Sequence, residues 1–363
     1  MAKKNLVIVE SPAKAKTIEK YLGPDFVVKA SFGHVRDLPP YTLGVDIEKE
    51  FEPSYKTIKG KSKLLTELKA AGKGKETIWL ATDPDREGEA IAWHVQVGAE
   101  YPEEKVKRIV FNEITKKAIQ AAIKTPRELD MQLINAQQAR RVLDRLIGYR
   151  VSPILSKKIK KGSSAGRVQS VALKLVCERE RAILAFIPEE YWVISARVKD
   201  DKSASFDIKL FAENDPKTKI LVTNEAQATQ VTDEIKAADL VIDKVTKRKQ
   251  NRHPQPPFIT STLQQEASRK LNWTAKKTMM IAQQLYEGVE VDGEAVGLIT
   301  YMRTDSVRVS KDAQSDALSY VKGKYGQKYL PESPRVYKMK KNSQDAHEAI
   351  RPSLVDYTPD AVQ

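Results

Sequence analysis

The sequence has one cysteine among its 363 residues, Cys177. A single thiol can form neither a disulfide framework within the chain nor a cysteine-rich zinc ribbon. Its place in the periodic run "VALKLVCERERAI" predicts a small buried residue of a helix. Long apolar stretches are also missing, since no run approaches the roughly 20 residues that a helix needs to span a bilayer. The sequence therefore indicates neither a disulfide-built domain nor a membrane-spanning protein.

Acidic residues are the minority among the charged ones. The chain has 62 Lys and Arg against 48 Asp and Glu, a formal net charge of +14. This balance is typical of a protein that binds a polyanion, with nucleic acid as the first candidate and a membrane surface as the alternative on charge alone. The start "MAKKNLVIVE" enters a strand-like run without the longer apolar core of a signal peptide, so we expect a cytosolic protein.

The first 130 residues repeat a strand-then-helix pattern. The apolar run "NLVIVE" precedes "SPAKAKTIEKYLG", where Ser11 is placed as N-cap, Pro12 as first helical residue and Gly23 after the helix end. Two further units are "ETIWLAT" with "EAIAWHVQVGAEY", and "VKRIVF" with "NEITKKAIQAAI". Repeated β–α units predict a Rossmann-like parallel sheet, and the length predicts two to four domains.

The rest of the chain has a different character. Long helical patterns occupy residues 133–190, alternating strand-like runs occupy 191–255, and the proline-studded stretch "KRKQNRHPQPPF" marks a boundary. A helical domain is predicted after it, with a capping box from Ser261 to Gln264 and a second helix that ends at Gly288. The fold class is thus an α/β domain joined to mainly α segments and a small β-rich piece.

Four carboxylates crowd the stretch "LATDPDREGEAIAW": Asp83, Asp85, Glu87 and Glu89. Either water screens them on a surface loop, or a cation holds them together. Glu10 closes the first predicted strand, and ligands of parallel sheets sit beyond the carboxyl ends of strands. Several carboxylates at one crevice suit Mg²⁺, although a solvated loop stays open as an alternative.

A second candidate is "GLITYMRTDS". If this piece is extended, Tyr301, Arg303 and Asp305 fall on one face. Tyrosine is a poor nucleophile while its pKa stays near about 10, so it needs cations beside it, and Arg303 can supply one. The alternative is a tyrosine that packs on a strand beside a solvated arginine.

Taken together, these stretches resemble those of the type IA DNA topoisomerases, in particular the bacterial ones. "VIVESPAKAKTI" and "ATDPDREGEAIAWH" are similar to the acidic signatures of the family's TOPRIM domain, and "FNEIT" follows them. "QQARRVLDRLIGY" and "SAGRVQSVAL" resemble its DNA-binding helices, "GLITYMRTDS" its nucleophile segment and "AHEAIRPS" its active-site histidine segment. The motifs occur in the family's order along essentially the whole chain.

The resemblance implies a domain plan. Residues 1–132 would form the TOPRIM domain, 133–190 a helical DNA-binding part of domain IV, 191–255 a part of the arch (domain II), and 256–363 the tyrosine domain (domain III). The family's catalytic core normally runs further and often adds zinc ribbons. We therefore expect the chain to be the N-terminal part of a longer enzyme.

The resemblance also implies the chemistry. Tyr301 would attack a phosphodiester and leave a 5′-phosphotyrosyl link with a free 3′-hydroxyl, while Arg303 and His347 bind the scissile phosphate. Lys14 would contact the phosphate and protonate the departing 3′-oxygen, and Glu10 would assist the acid–base chemistry. The expected Mg²⁺ ligands are Glu10, Asp83, Asp85 and Glu87.

The DNA-binding side chains follow from the same resemblance. They are His34, Arg140, Arg141, Asp144, Arg145, Tyr149, Ser164, Ala165, Gly166, Arg167, Val168, Gln169 and Arg303. From the residues alone, positions 139, 143, 146 and 147 form a helix core stripe, and Arg140 with Asp144 is an ordinary ion pair one turn apart. On that alternative interpretation the arginines line a solvated helix face.

The expected function is ATP-independent, Mg²⁺-dependent relaxation of negatively supercoiled DNA by a monomer in the bacterial cytosol, associated with the nucleoid. Its partner would be single-stranded segments of the duplex, with no membrane and no nucleotide cofactor. Two alternatives stay open: another TOPRIM enzyme such as a primase or nuclease, and a module that only binds single-stranded DNA.

Overall fold

The structure, a computed structural model, describes residues 4–199, 205–212, 219–338 and 347–362. These form two compact units, Met1–Gly166 with Pro254–Gln363, and Arg167–His253. The elements up to residue 124 are, in chain order, β1 (Asn5–Val9), α1 (Pro12–Leu22), β2 (Phe26–Ala30), β3 (Arg36–Asp37), β4 (Val45–Asp46), β5 (Glu52–Pro53), β6 (Lys56–Thr57), α2 (Ser62–Gly72), β7 (Thr77–Leu80), α3 (Arg86–Gly98), β8 (Val106–Arg108) and α4 (Lys116–Lys124).

The first unit is built on a parallel sheet with the strand order β2-β1-β7-β8. Alternate residues of β1 face opposite cores: Val7 and Val9 pack on one side, Leu6 and Ile8 on the other. Both faces are therefore buried, which is why these strands are continuous apolar runs and not alternating ones. The α/β fold predicted from the repeated units is confirmed, with β2 as an additional strand that the pattern did not indicate.

The signals at the ends of α1 act as the sequence predicts. The Ser11 hydroxyl accepts a hydrogen bond from the Lys14 amide at 3.2 Å, and Pro12 opens the helix. Gly23 ends it with φ 81, a left-handed conformation that suits glycine. By contrast, α3 begins at Arg86 and not at Glu89. The acidic stretch is thus the cap and first turn of that helix, where carboxylates favour the positive end of the helix dipole.

After α4 the first unit continues with α5 (Met131–Leu146), a π-helical turn (Ile147–Val151) and α6 (Ser152–Lys158). The predicted apolar stripe on α5 is wrong, because Ala139 and Leu143 are exposed. The residues that α5 buries are Ile134, Gln137 and Arg145. The helix packs partly through polar side chains that pair with residues of the N-terminal domain. A search for apolar periodicity cannot detect such contacts.

The second unit contains α7 (Gln169–Leu184), β9 (Ser195–Lys199), β10 (Ser205–Lys209) and α8 (Glu225–Ala237). The two strands pair in antiparallel fashion, as their alternating pattern predicted. Cys177 is half-buried on α7, whose residues are all exposed or half-buried, so the prediction of a buried cysteine is wrong. The unit begins within the segment predicted as 133–190, and the four predicted domain limits stay a prediction.

The C-terminal part of the first unit contains α9 (Thr260–Leu271), α10 (Ala275–Glu287), β11 (Val289–Val291), β12 (Glu294–Val296) and α11 (Lys311–Tyr325). Gly288 ends α10 as predicted, with φ 125. The predicted capping box at Ser261 is wrong, because the N-cap of α9 is Ile259, two residues earlier. The Thr262 hydroxyl instead accepts a hydrogen bond from the Ile259 amide at 3.0 Å. Among the helices of the described residues, none has the length and apolar content that crossing a bilayer requires.

Candidate active site

Residues that follow the carboxyl ends of β1 and β7 meet at one edge of the sheet. Glu10 follows β1, and Asp83 follows β7 by three residues. Lys14, on the first turns of α1, lies between them: its ammonium donates to Glu10 Oε1 and to Asp83 Oδ1, each at 2.9 Å. Neighbouring parallel strands therefore bring together carboxylates that are 73 positions apart in sequence.

Lys14 is fully buried, and the rings of Phe111 and Tyr286 flank its ammonium. Burial alone would lower the pKa of Lys14, but the Asp83 and Glu10 carboxylates raise it above its usual value. A permanent cation thus lies beneath the acidic edge. The ammonium is enclosed by protein and bonded to two carboxylates, and its expected contact with a phosphate stays a prediction.

Glu10 differs from its neighbour in protonation. Burial raises the pKa of Glu10 to about 8 against the attraction of Lys14, and the Asp83 charge acts in the same direction as burial. Burial would also raise the pKa of Asp83, but Lys14 holds it below its usual value. Two adjacent carboxyls whose pKa values are pushed apart are typical of acid–base sites. Glu10 is thus the group that carries a proton near neutral pH.

Asp85 connects the helix start to the nucleophile segment. Its Oδ1 accepts from the Gly88 amide at 2.9 Å, which caps α3. Its Oδ2 accepts from the Tyr301 hydroxyl at 2.7 Å and lies 3.5 Å from Arg303 Nη1. Both oxygens of one carboxylate are therefore in use, one by the fold and one by the tyrosine.

Tyr301 is 2% exposed, whereas the side chain of Arg303 is 56% exposed. The predicted common face of Tyr301, Arg303 and Asp305 is therefore only partly right: Arg303 and Asp305 are exposed and Tyr301 is not. Burial, and then the Asp83 and Asp85 charges, raise the pKa of Tyr301 well above its usual range, and Arg303 opposes them. The hydroxyl thus keeps its proton in this state.

The main chain of the nucleophile segment is fixed on both sides. The Tyr301 amide donates to the Asn112 carbonyl at 2.7 Å, and the Thr300 amide donates to the Arg351 carbonyl at 2.9 Å. The Tyr286 ring lies edge-on to that of Tyr301, with 5.2 Å between centroids. Tyr286 was not singled out in the sequence, although the buried stripe Thr278, Ala282 and Tyr286 on α10 has the four-residue spacing of a helix face.

Arg108 organises the loop that carries Asp83 and Asp85. It is fully buried at the end of β8, and its guanidinium donates to the carbonyls of Leu80, Thr82, Asp83 and Ile109 at 2.6–3.0 Å. Its Nε donates to the buried Glu89 carboxylate at 2.9 Å. A charged residue inside the strand-like run "VKRIVF" was the only sequence signal for this role.

A cavity of about 540 Å³ opens above these groups. Its lining residues are Glu10, Gly33, His34, Asp83, Asp85, Glu87, Gly88, Ile91, Met279, Met280, Gln283 and Arg303. Glu87 Oε2 lies 3.6 Å from His34 Nε2 and accepts from Gln137 Nε2 at 3.2 Å. The contact with His34 holds the pKa of Glu87 below its usual range, and the nearby Arg140 charge acts in the same direction. Four of the predicted acidic residues therefore share one cavity wall.

The oxygen atoms of this wall are the possible ligands of a metal ion. Within the described ranges, no three acidic, histidine or cysteine side chains form a ready cage. Three of the four expected ligands take part in hydrogen bonds, since Lys14 donates to Asp83, Tyr301 to Asp85 and Gln137 to Glu87. Glu10 Oε2 is buried with no hydrogen-bond partner beside the cavity. One or two carboxylates with water and phosphate oxygens suffice for Mg²⁺, and the wall fits that mode.

The arginines of α5 fall into different environments. Arg141 makes a two-pronged ion pair with Asp37, with both bonds at 2.7 Å. Arg145 is 6% exposed, and the carbonyls of Leu38, Pro39 and Thr42 accept from it. The Tyr149 hydroxyl donates to the Pro40 carbonyl. Arg145 and Tyr149 thus hold the 37–42 loop, and their expected contacts with DNA stay predictions.

The remaining predicted residues lie apart from the cavity lining. His347 is 8% exposed, and its segment runs beside the tyrosine: the Ala349 carbonyl accepts from the Thr300 hydroxyl at 2.7 Å. Ala165 is tied to α6 by a 3.0 Å hydrogen bond from its amide to the Ser152 hydroxyl. Ser164 and Gly166 belong to the first unit, whereas Arg167, Val168 and Gln169 open the second. Asp144 lies on the last turn of α5.

Comparison with known proteins agrees with this geometry. The sequence profile of a DNA topoisomerase family matches residues 128–361, and that of the Toprim domain matches residues 5–114. A DNA topoisomerase 1 of Rickettsia felis is 53% identical over 368 residues, which is 99% of this chain and 47% of that protein. The full-length topoisomerase I of Thermotoga maritima superposes with a TM-score of 0.83 at 44% identity, over 98% of this chain and 56% of that one. The chain thus spans about half the length of these relatives.

Proposed function

The chain belongs to the DNA topoisomerase family, and from that premise we propose that it carries the DNA-cleaving residues of a type IA enzyme. It would break one DNA strand through a 5′-phosphotyrosyl link, allow a second strand to pass and reseal the break without a nucleotide cofactor. The family membership confirms the resemblance read from the motifs. The activity itself is a proposal, because the chain covers 47% of the curated relative and 56% of the solved one.

One observation carries the proposal: the Tyr301 hydroxyl lies 2.7 Å from Asp85 in the wall of the acidic cavity, with Arg303 beside it. Tyr301 Oη would attack phosphorus, forming the O–P bond as the bond from phosphorus to the 3′-oxygen breaks. Asp85 accepts the phenol's hydrogen bond and is the first acceptor for its proton. The exposed Arg303 guanidinium would stabilise the charge that develops on the phosphoryl oxygens.

The departing 3′-oxygen needs a proton, and Glu10 is the group that holds one. Its raised pKa, about 8, and its unpartnered Oε2 beside the cavity both suit a general acid. Lys14 would keep Asp83 ionised next to it, so the two carboxyls serve different roles. On resealing, Glu10 would take the proton back from the 3′-hydroxyl as that oxygen attacks the phosphotyrosine.

We assign Mg²⁺ to the wall formed by Asp83 and Asp85, with Glu87 at its outer edge, and Glu10 would join as a ligand once it has given up its proton. Bound there, the ion would neutralise phosphate charge and help to keep the broken ends aligned for resealing. The protein contributes by holding these carboxylates in the lining of one cavity. Arg108 contributes to this by fixing the carbonyls on either side of Asp83.

The partner we propose is a single-stranded stretch of negatively supercoiled DNA, bound by one copy of the protein. The net charge of +14 and the exposed Arg303 favour a polyanion. The proposed DNA contacts are those expected from the motifs: His34, Arg140, Arg141, Asp144, Arg145, Tyr149, Arg303 and the turn 164–169, with Lys14 and His347 near the scissile phosphate. The bacterial relatives favour the cytosol and its nucleoid as the location.

Trapping the covalent intermediate tests this function. The chain is incubated with a 3′-labelled single strand, denatured and run on a gel, where label that moves with the protein reports the 5′-phosphotyrosyl link. Tyr301→Phe should abolish the adduct while strand binding persists, since only the attacking oxygen is lost. Tyr286→Phe is the matched control, because it removes the neighbouring phenol 5.2 Å away and should leave the adduct intact.

The two alternatives predict other results. A primase or nuclease of the TOPRIM class would use the acidic wall but would give no adduct. A binding module would be indifferent to the loss of Tyr301. An adduct that survives Tyr301→Phe would contradict the assignment of the nucleophile.

A further inference from the structure

Phe32 stands at the rim of the active-site cavity in a conformation that phenylalanine rarely adopts. Its φ is 55°, in the left-handed region that a bulky side chain normally avoids. The next two residues, Gly33 and His34, line the cavity together with Glu10 and Arg303. The Phe32 ring is nevertheless 58% exposed. A large apolar ring in a strained position beside a polar cavity needs a physical reason.

The surrounding main chain holds this strain in place. The Ser31 amide donates to the Val9 carbonyl at 2.8 Å, and the Gly33 amide donates to the Glu10 carbonyl at 3.0 Å. Lys61, the N-cap of α2, donates from its ammonium to the carbonyls of Phe32 and Ser31 at 2.7 and 3.3 Å. Hydrogen bonds to Val9, Glu10 and Lys61 therefore fix the turn against the end of β1. Strained residues that the structure over-determines in this way cluster at ligand clamps.

The same lysine also fixes the ring. Lys61 Nζ lies 5.7 Å from the centroid of Phe32, a cation–π distance. Lys61 covers only part of the ring, since Phe32 is still 58% exposed. A flat apolar surface, held rigid and backed by a positive charge, suits a nucleobase, which stacks on aromatic rings whatever its identity.

Building on the proposed function, we propose that Phe32 stacks on one base of the single strand whose phosphate enters the cavity. The stacked base lies within a few nucleotides of the scissile phosphate, because Phe32 adjoins two of the lining residues. Phe32 would thereby fix the register of the strand, and Lys61 would support the ring from behind. Loss of one such stacking contact weakens binding by about tenfold.

The test is a scan with single abasic sites. Binding of the 363-residue chain to a labelled oligonucleotide is measured by fluorescence anisotropy, with the abasic site moved one position at a time from four nucleotides before the cleavage point to four after it. We expect one position at which the abasic site weakens binding by about tenfold. In Phe32→Gly that position should become silent, because the ring that reads it is gone. In Phe32→Trp the sensitivity should persist.

Phe32→Gly separates stacking from folding, because glycine adopts φ 55° without strain. Its thermal stability should be unchanged or higher, while its DNA affinity falls by about tenfold. Phe51→Gly is the matched control: Phe51 is also exposed and left-handed, with φ 64, but neither of its sequence neighbours lines the cavity, whereas Gly33 next to Phe32 does. Its affinity should be unchanged.

Equal affinities for Phe32→Gly and the parent chain, or an abasic profile that the substitution does not alter, would overturn the stacking role. The Tyr301 adduct is scored on the same oligonucleotides. An adduct without any effect at Phe32 rejects the stacking role alone, whereas a Phe32-dependent abasic position without an adduct rejects the proposed cleavage and retains the stacking.

Discussion

At the scale of single residues, Arg108 is the buried cation on which the acidic loop depends. Its guanidinium bonds to four carbonyls and to the Glu89 carboxylate, and both side chains are fully buried. Arg127 is a second partner of Glu89, at 2.8 Å, with 35% of its side chain exposed. Removing one member of a buried ion network leaves the other uncompensated, which is more harmful than never having built the pair.

We expect Arg108→Met to lower the free energy of unfolding by about 3 kcal/mol, since it removes one of the two cations that pair with Glu89 and a donor to four carbonyls. Urea denaturation followed by circular dichroism measures this change. Arg127→Met is the control and should lower it by about 1 kcal/mol, because its partly exposed side chain can be replaced by water. Equal effects of the two substitutions would contradict the central role given to Arg108.

His94 makes the stability sensitive to acid. It is 2% exposed, packs against Tyr55 and Trp93, and its Nδ1 has no hydrogen-bond partner. Burial, and then the Arg36 and His34 charges, lower the pKa of His94 to about 3. The unfolded chain therefore takes up a proton on this residue near its ordinary value, about 6.5, which the folded chain refuses until far lower pH.

The sign follows directly. The contribution of a group with a lowered folded pKa is present above its unfolded pKa and lost as the pH falls, so stability should decline from about pH 6.5 towards pH 3. At pH 5 the His94 contribution amounts to a loss of about 2 kcal/mol. Unfolding free energies of the parent chain and of His94→Leu at pH 7 and pH 5 check this. The variant should lose about 2 kcal/mol less between the two pH values, and parallel declines would exclude His94 as the cause.

At the scale of elements, the start of α3 shows how closely the acidic loop is packed. A Cβ placed on Gly88 would lie 2.1 Å from the Asp83 carbonyl oxygen, so only glycine fits against the loop there. The Thr82 hydroxyl donates to the Gly88 carbonyl at 2.6 Å and closes the turn. The spacing between Asp83 and Asp85 is thus set by a main-chain contact.

Gly88→Ala should push the loop away from the helix by about 1 Å, and a misplacement of that size can reduce a rate by on the order of a hundredfold. The measured quantity is the initial rate of the Tyr301 adduct. Gly323→Ala on α11 is the control, since a Cβ there meets nothing within 4 Å, and it should leave the rate unchanged. An unchanged rate in Gly88→Ala would show that the loop adapts and that its spacing is not what catalysis requires.

The elements also show which parts of the fold the sequence could predict. The strands β1, β7 and β8 were visible because both of their faces are buried, and α1 because its caps are local chemistry. The contacts of α5 were hidden, because Gln137, Arg141 and Arg145 are buried or paired through hydrogen bonds to distant residues. Apolar periodicity carries no information about such partners. The same reason explains the missed start of α3, whose first turn is acidic.

The candidate site was predictable as far as local motifs reach. Glu10, Asp83, Asp85 and Tyr301 were each singled out; the three carboxylates line one cavity, and the Tyr301 hydroxyl donates to Asp85. The position of Lys14 below the carboxylates was not predictable, because it depends on how α1 packs on Phe111 and Tyr286. A motif indicates which residues carry chemistry, and packing decides which of them reach a ligand.

At the scale of the whole molecule, the N-terminal sheet and the tyrosine segment are joined within the first unit by directed contacts. The Thr17 hydroxyl donates to the Glu287 carbonyl at 2.8 Å, and Arg351 pairs with Glu113 at 2.9 Å. The exposed pair of Lys117 and Asp312 spans the same boundary at 2.5 Å. An apolar core continues across the same boundary, where Ile18, Ile109 and Phe111 belong to one buried cluster with Tyr286, Met302 and Ile350. Polar contacts and this shared core together hold Tyr301 against Asp85.

The net charge of +14 should govern how the molecule meets DNA. Binding to a single strand releases counterions, and the logarithm of the affinity falls with that of the salt concentration at about 0.7 per neutralised phosphate. If five basic side chains meet phosphates, raising the salt from about 50 to about 200 mM should weaken binding roughly a hundredfold.

Arg140 is half-buried near Glu87 at the cavity wall and is one of the proposed contacts. Arg140→Gln should therefore make the slope shallower by about 0.7 for strands of any sequence. Arg197→Gln is the matched control, because Arg197 lies in the second unit and is already paired with Asp207 at 2.8 Å, so its slope should equal that of the parent chain. Fluorescence anisotropy titrations at four salt concentrations measure all three slopes, and an Arg140→Gln slope equal to that of the parent would remove Arg140 from the DNA path.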